Sequence, residues 1–154
     1  MPSWTEVEAE APELCALARG YLDAHKHKTI ATLRRDGSPR ISGTEVEFAR
    51  DDMWFGSMWQ AVKALDLRRD GRFALHSGSD DPPGWTGDAK LAGRAFEVDD
   101  DDMKREISAE QPGPWHLFRA DVTELSVVYL GDGGKHLVIE AWHAGRGLSR
   151  REVG

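Results

Sequence analysis

Apolar and polar positions change period several times along the chain, and the changes divide it into elements. Residues 1 to 11 follow neither helical nor strand period, being polar and acidic around one Trp, and read as a loosely held arm. From Pro12 onward, Leu14, Leu17, Ala18, Tyr21, Leu22 and His25 recur at helical spacing, which predicts an amphipathic helix over 12–25 with proline in its first turn. The basic cluster His25 to Lys28 suits that helix's C-terminus. Thr29 to Arg35 then reads as a strand, Asp36-Gly37-Ser38-Pro39 as a hairpin turn, and Arg40 to Ala49 as a second strand with mixed faces. Met53 to Ser57 is a short third strand, Gln60 to Arg69 a helix with Ala61, Ala64 and Leu65 inward, and Arg72 to Ser77 a fourth strand.

Gly78 to Asp88, with its adjacent prolines and three glycines, predicts a long loop of the lid or interface kind. Strand alternation returns over Ala89 to Asp99, and the acidic run Asp99 to Asp102 reads as the N-terminus of a helix reaching Glu110. Gln111 to Pro114 breaks the chain, Leu125–Leu130 and Leu137–Trp142 are strands around a glycine-rich turn, and 143–154 is a basic, glycine-spaced tail. Few helices alternate with strands, so a doubly wound parallel sheet is disfavoured. The pattern predicts one mainly β domain over 1–154, a barrel of six to seven antiparallel strands with flanking helices, in which closure removes exposed edges.

Charge narrows the partners. With 20 Lys+Arg against 27 Asp+Glu the formal charge is −7, which argues against a broad grip on nucleic acid or an anionic membrane, so any anion must be held locally. The apolar runs are short and no basic-then-apolar leader opens the chain, so a cytoplasmic location is expected. The single Cys15 rules out an intrachain disulfide and a cysteine zinc cage, and its spacing makes it a small core residue.

Candidate chemistry is sparse. No Gly-rich nucleotide loop, GxSxG elbow or HExxH pair is present, and the six His lack the helical pairing of a metal site. What remains is Arg40, Ser57 and Lys63. A strand ending in Gly-Ser that turns into a helix leaves N–H groups open to an anion, with Lys63 one turn in and Arg40 on the neighbouring strand. Spacing alone leaves both a phosphate site and ordinary surface polarity open.

Ile30-Ala31-Thr32-Leu33-Arg34-Arg35-Asp36-Gly37-Ser38-Pro39-Arg40, followed by Trp54-Phe55-Gly56-Ser57 and Lys63 to Asp70, resembles the pyridoxamine 5′-phosphate oxidase-like FMN-binding split-barrel superfamily, including its deazaflavin-dependent reductases. The likeness runs from about Leu14 through Trp142. It implies a Greek-key split barrel, a homodimer with the cofactor at the interface, and FMN or alternatively the deazaflavin coenzyme F-420. It further implies that Arg40 and Lys63 contact the cofactor phosphate, that Ser57 hydrogen-bonds it, and that Ser42, Thr44, Phe55 and Gly56 border the ring. Trp85, Trp115 and Trp142 are implied for the partner-side wall.

The chain also departs from the vitamin-pathway oxidases. A Ser-Arg pair expected before the Lys is Ala61-Val62 here, no Arg-Pro-x-x-Ser lies between Phe96 and Leu117, and the C-terminal pattern survives only as Trp142-His143-Ala144-Gly145 with Arg146, Arg150 and Arg151. A true pyridoxamine 5′-phosphate oxidase is therefore not expected. The expectation is a flavin- or deazaflavin-dependent oxidoreductase acting on a small molecule. The alternative is a non-catalytic flavin- or haem-binding module, with His76, His116 and His143 as iron-ligand candidates.

Overall fold

A computed structural model describes residues 2–108 and 113–154. One antiparallel sheet runs in the order β2-β1-β5-β6-β7-β4-β3. Its strands are β1 (Lys28–Leu33), β2 (Pro39–Thr44), β3 (Glu47–Ala49), β4 (Asp52–Met58), β5 (Arg72–His76), β6 (Gly87–Val98) and β7 (Trp115–Leu130), with β8 (Leu137–His143) and β9 (Gly147–Val153) attached beyond β7. Helices α1 (Trp4–Glu10), α2 (Pro12–Ala24), α3 (Val62–Arg69) and α4 (Asp101–Ile107) flank it. The architecture is the expected barrel, with nine strands among the described residues rather than six or seven.

β7 is the spine. Its residues 117–129 pair with β6, 115–120 with β4 and 124–130 with β8. A bulge lets it follow the curve: Ala92 pairs with Glu124 but Gly93 with Val122, leaving Thr123 unpaired in that ladder. Only glycine fits at 93, because a Cβ there would lie 1.8 Å from the Asp121 carbonyl oxygen. Inside the curve Phe55 meets Phe73 and Phe118 at ring distances of 5.4 and 5.8 Å, and α2 adds buried Leu14, Cys15, Ala18 and Leu22. Each buried Leu contributes about 1.5–3 kcal/mol.

The hairpin turn forms as expected. Asp36 accepts from the Ser38 N–H at 2.9 Å and Gly37 takes φ +86°, which joins β1 to β2. The acidic run likewise ends as a helix cap, Asp100 accepting from the N–H groups of Asp102 and Met103. Helix α4 begins at Asp101 and is described to Ile107; Glu110 and the Gln111-Pro112 part of the expected break lie outside the described residues.

Four expectations are corrected. Residues 4–10 are a helix rather than a loose arm: Ser3 caps it, and Trp4 and Val7 are buried, Trp4 against Phe48 at 4.8 Å. Arg40 to Ala49 is two strands, because β2 pairs with β1 whereas β3 pairs with β4, and the chain must change direction at Glu45-Val46. In α3 it is Leu67 with Ala64 that is buried, while Leu65 is exposed. Residues 147–153 of the expected tail form β9 on the edge of β8.

Candidate functional site

The chain's break between β2 and β3 and the end of β4 open a cavity of about 550 Å³. Its walls come from Lys26 to Lys28, Gly43 to Glu47, Trp54 to Met58, Lys63, Ile107, Ser108, Trp115 and Leu117. Glu45 and Val46 lie between the two strands and line the cavity.

Part of the cavity lining is polar. Helix α3 has Ala61 at its N-cap, with no side-chain hydrogen bond, so the N–H groups of its first turn lack the usual cap. Lys63 donates one hydrogen bond to the Gly43 carbonyl at 2.7 Å and keeps two donors. Burial draws its ammonium below its ordinary value, with Glu45 working the other way. Ser57 is more than nine-tenths buried, and its hydroxyl makes only a 3.4 Å contact with the Met58 carbonyl. Four cationic or potentially cationic side chains, Lys26, His27, Lys28 and Lys63, line the cavity with Glu45 and Glu47, in a chain whose formal charge is −7. Lys28 is committed to capping α2, donating to the carbonyls of His25 and Lys26 at 2.6 and 3.1 Å.

Another part of the lining is apolar. The Trp115 ring lies against Gly56, where a Cβ would come within 3.1 Å of it. Trp54, Leu117 and Ile107 form a buried cluster behind it. Lys104 holds Trp115 from outside, donating to its carbonyl at 2.8 Å with the ammonium 5.9 Å from the ring centroid.

Of the residues expected at the site, Thr44, Phe55, Gly56, Ser57 and Lys63 line this cavity together. Arg40, Ser42 and Trp142 do not. The Arg40 guanidinium faces α3, its Nε donating to Asp66 at 2.7 Å. The same carboxylate accepts from Thr32 at 2.8 Å and from Arg69 at 3.0 Å, which ties β1 and β2 to the helix. Burial opposes the Asp66 charge, yet the hydrogen bonds from Arg40, Thr32 and Arg69 outweigh it and hold the carboxyl below its ordinary value. Trp142 is wholly buried in the main core, which removes it from any outer wall.

His116 was an iron-ligand candidate, and the structure corrects that assignment because both ring nitrogens are engaged. Nε2 accepts from the Gln60 N–H at 3.1 Å, and Nδ1 lies 2.7 Å from Glu97. Glu97 also takes a forked pair of hydrogen bonds from Arg68, and the two partners hold its carboxyl below its ordinary value against burial. No periodicity marks this cluster, because its members come from β6, β7, α3 and the turn before α3. The other two candidates, His76 and His143, line a second groove of about 640 Å³ on the strands' other side, floored by Ala31, Ala74, Val128 and Ile139.

A flavin-sized ligand fits the first cavity on these observations. Its volume lies within the roughly 300–1,000 Å³ of small-molecule sites, and its lining combines donors suited to a phosphate with the apolar side chains of Trp54, Trp115 and Leu117. No family model matches the chain, and no curated protein matches it. Solved structures do. A pyridoxamine 5′-phosphate oxidase-related, FMN-binding protein from Nostoc punctiforme is 12% identical, with 90% of this chain and 94% of that chain covered at a TM-score of 0.62. PhzG from Burkholderia lata, in complex with tetrahydrophenazine-1-carboxylic acid, is 12% identical over 96% and 91% at 0.63. A heme binding protein from Mycobacterium smegmatis is 14% identical over 94% and 89% at 0.62. These likenesses establish the fold.

Proposed function

We propose, from the premise that this chain has the pyridoxamine 5′-phosphate oxidase-like split-barrel fold, that it is a flavin- or deazaflavin-dependent oxidoreductase acting on a small molecule. The observation that carries the reading is one cavity lined both by Ser57 and Lys63, beside the uncapped start of α3, and by Trp115 on Gly56. FMN is the cofactor this lining favours, because its phosphate matches the donors and its planar ring the apolar side chains; coenzyme F-420 is the second choice. When bound, such a cofactor supplies hydride or electron transfer.

The chain's residues supply binding and orientation. Lys63 has two donors for a phosphate, Ser57 adds a hydroxyl, and the N–H groups opening α3 add a favourable dipole. Residues Gly43 to Glu47 would border a bound ring, and Trp115 and Leu117 would help to exclude water from it. Arg40 is assigned to the fold rather than to the phosphate, since its Nε is spent on Asp66.

We also infer a homodimer with the cavity at the interface. Met58, Trp59 and Val62 are 82, 51 and 55% exposed beside the cavity, an apolar patch suited to cover by a second copy. Light scattering at micromolar protein should give twice the monomer mass of 17.1 kDa.

Titration of the purified protein with FMN, riboflavin and F-420, followed by flavin absorbance and fluorescence, tests the main reading. Lys63→Ala should weaken FMN roughly tenfold or more while leaving riboflavin nearly unchanged, since only the charged contact is lost. Absence of micromolar binding by all three ligands would sink the proposal. A second reading, haem binding without turnover, is favoured by the presence of His76 on β5 and His143 on β8 along one apolar groove. A Soret band lost in His143→Ala would support it.

A further inference from the structure

The turn between β4 and α3 is closed by a backbone hydrogen bond from the Ala61 N–H to the Met58 carbonyl at 3.1 Å, and one side chain adds a second hold on it. Gln60 adopts φ +62°, a left-handed conformation that a non-glycine residue takes only when its surroundings impose it. Its N–H points at Nε2 of His116, 3.1 Å away, and the neighbouring Trp59 lies flat on the same imidazole, 4.7 Å between centroids and 9° between planes. His116 is wholly buried on β7, in register with Ser57 of β4. The far end of α3 returns to the same place, because Arg68 grips Glu97 at 2.7 and 3.0 Å and Glu97 lies 2.7 Å from Nδ1 of His116. Both ends of the helix are thereby fixed to one imidazole.

The hydrogen bonds dictate the ring's state. Nε2 receives the Gln60 N–H and must carry no proton, so the single proton sits on Nδ1 and is donated to Glu97. Arg68, 3.3 Å from Nδ1, is a charge beside the ring and donates to Glu97 instead. Trp59 covers one face and Phe118 lies beside the ring, 6.3 Å between centroids, and among the described residues Glu97 and Arg68 are the charged groups in contact with His116. A second proton, on Nε2, would set N–H against N–H at Gln60 and remove the acceptor that holds the turn.

We propose that His116 is a positioning residue for the anion-binding end of α3: the singly protonated imidazole fixes the 59–61 turn, and through it the first N–H groups of α3 and Lys63, so a phosphate-bearing ligand is held tightly only in that state. This rests on the flavin reading above and adds to it a pH dependence confined to the phosphate half of the ligand.

The experiment compares FMN with riboflavin, which lacks the phosphate, from about pH 7.5 to about pH 5, across the range where histidines change charge. It uses the wild-type protein and His116→Gln, whose amide can accept from Gln60 and donate to Glu97 without titrating. The phosphate's own second ionisation, near pH 6, acts on both proteins alike and cancels in their ratio. The FMN-over-riboflavin preference of the wild type should fall roughly tenfold or more beyond the fall in His116→Gln, the loss expected for charge-assisted contacts. Parallel curves overturn the proposal. In the ligand-free wild type, the amide resonances of Gln60, Val62 and Lys63 should shift with one common midpoint over the same range. If neither protein prefers FMN at any pH, the flavin reading fails, and the amide shifts then decide alone. Static amides overturn the positioning role whatever the flavins do.

Discussion

Replacing Arg40 by Ala separates a structural ion pair from a cofactor contact. The Asp66 carboxylate is 2% exposed and accepts three hydrogen bonds, from Arg40 at 2.7 Å, Thr32 at 2.8 Å and Arg69 at 3.0 Å. Removing one partner of a buried pair costs about 3–5 kcal/mol when the other is left bare. Here two partners remain and the Arg40 side chain is itself 25% exposed, so the expected loss is smaller, about 2 kcal/mol. For a chain of this length that corresponds to roughly 4–8 °C in Tm. Asp66→Ala should cost more, about 3–5 kcal/mol, because it leaves two guanidinium groups facing each other.

Thermal and urea unfolding followed by circular dichroism measures both variants, with FMN titrations run beside them. The Asp66 carboxyl is depressed in the fold, so its contribution is full above the unfolded value of about 3.9 and is lost as pH falls through the folded value. The stability gap between wild type and Arg40→Ala should accordingly be constant near neutrality and close below about pH 4. An Arg40→Ala protein that unfolds like the wild type yet binds FMN tenfold more weakly would refute the assignment and return Arg40 to the phosphate.

Two further outcomes follow from the packing. Gly93→Ala should destabilise by about 3 kcal/mol or more, since its Cβ would sit 1.8 Å from a backbone oxygen that the β6–β7 ladder holds in place, and urea midpoints check this. Cys15 is fully buried, and burial, with Glu8 adding to it, pushes its thiol up to about 12, so a thiol reagent should label it only at the rate of global unfolding; rapid labelling of the native protein at neutral pH would show that α2 opens locally.

Local signals in the sequence were read well wherever a short stretch decided the outcome. The α2 stripe, the Asp36-Gly37 turn and the acidic cap of α4 each depend on residues a few positions apart. The Lys63 helix and the Gly56-Ser57 strand end are of the same kind, and they do meet in one cavity. The Arg40 contact with Asp66 is not legible in the sequence, because the two lie 26 residues apart on different elements, and alternation in a strand says nothing of which carboxylate lies across it. Helix α1 was missed because seven residues give too little period to see, and Trp4 and Val7 are held by packing rather than propensity. The first half of β7 escaped because it is covered on both faces, by the core within and by α4 and Trp54 outside, so its polar and apolar residues do not alternate cleanly.

The place of β7 in the sheet has a consequence for synthesis. β4 carries Met53, Trp54 and Phe55, and one of its two edges is met only by residues 115–120. A ribosome adding about 5–20 residues each second therefore leaves that edge uncovered for several seconds or more after Met58 has been made. During that interval the nascent chain presents an unpaired, strongly apolar strand, the feature that recruits chaperones and seeds aggregates. The strand that completes the cradle thus also ends the period in which the half-made protein is most exposed to misassembly.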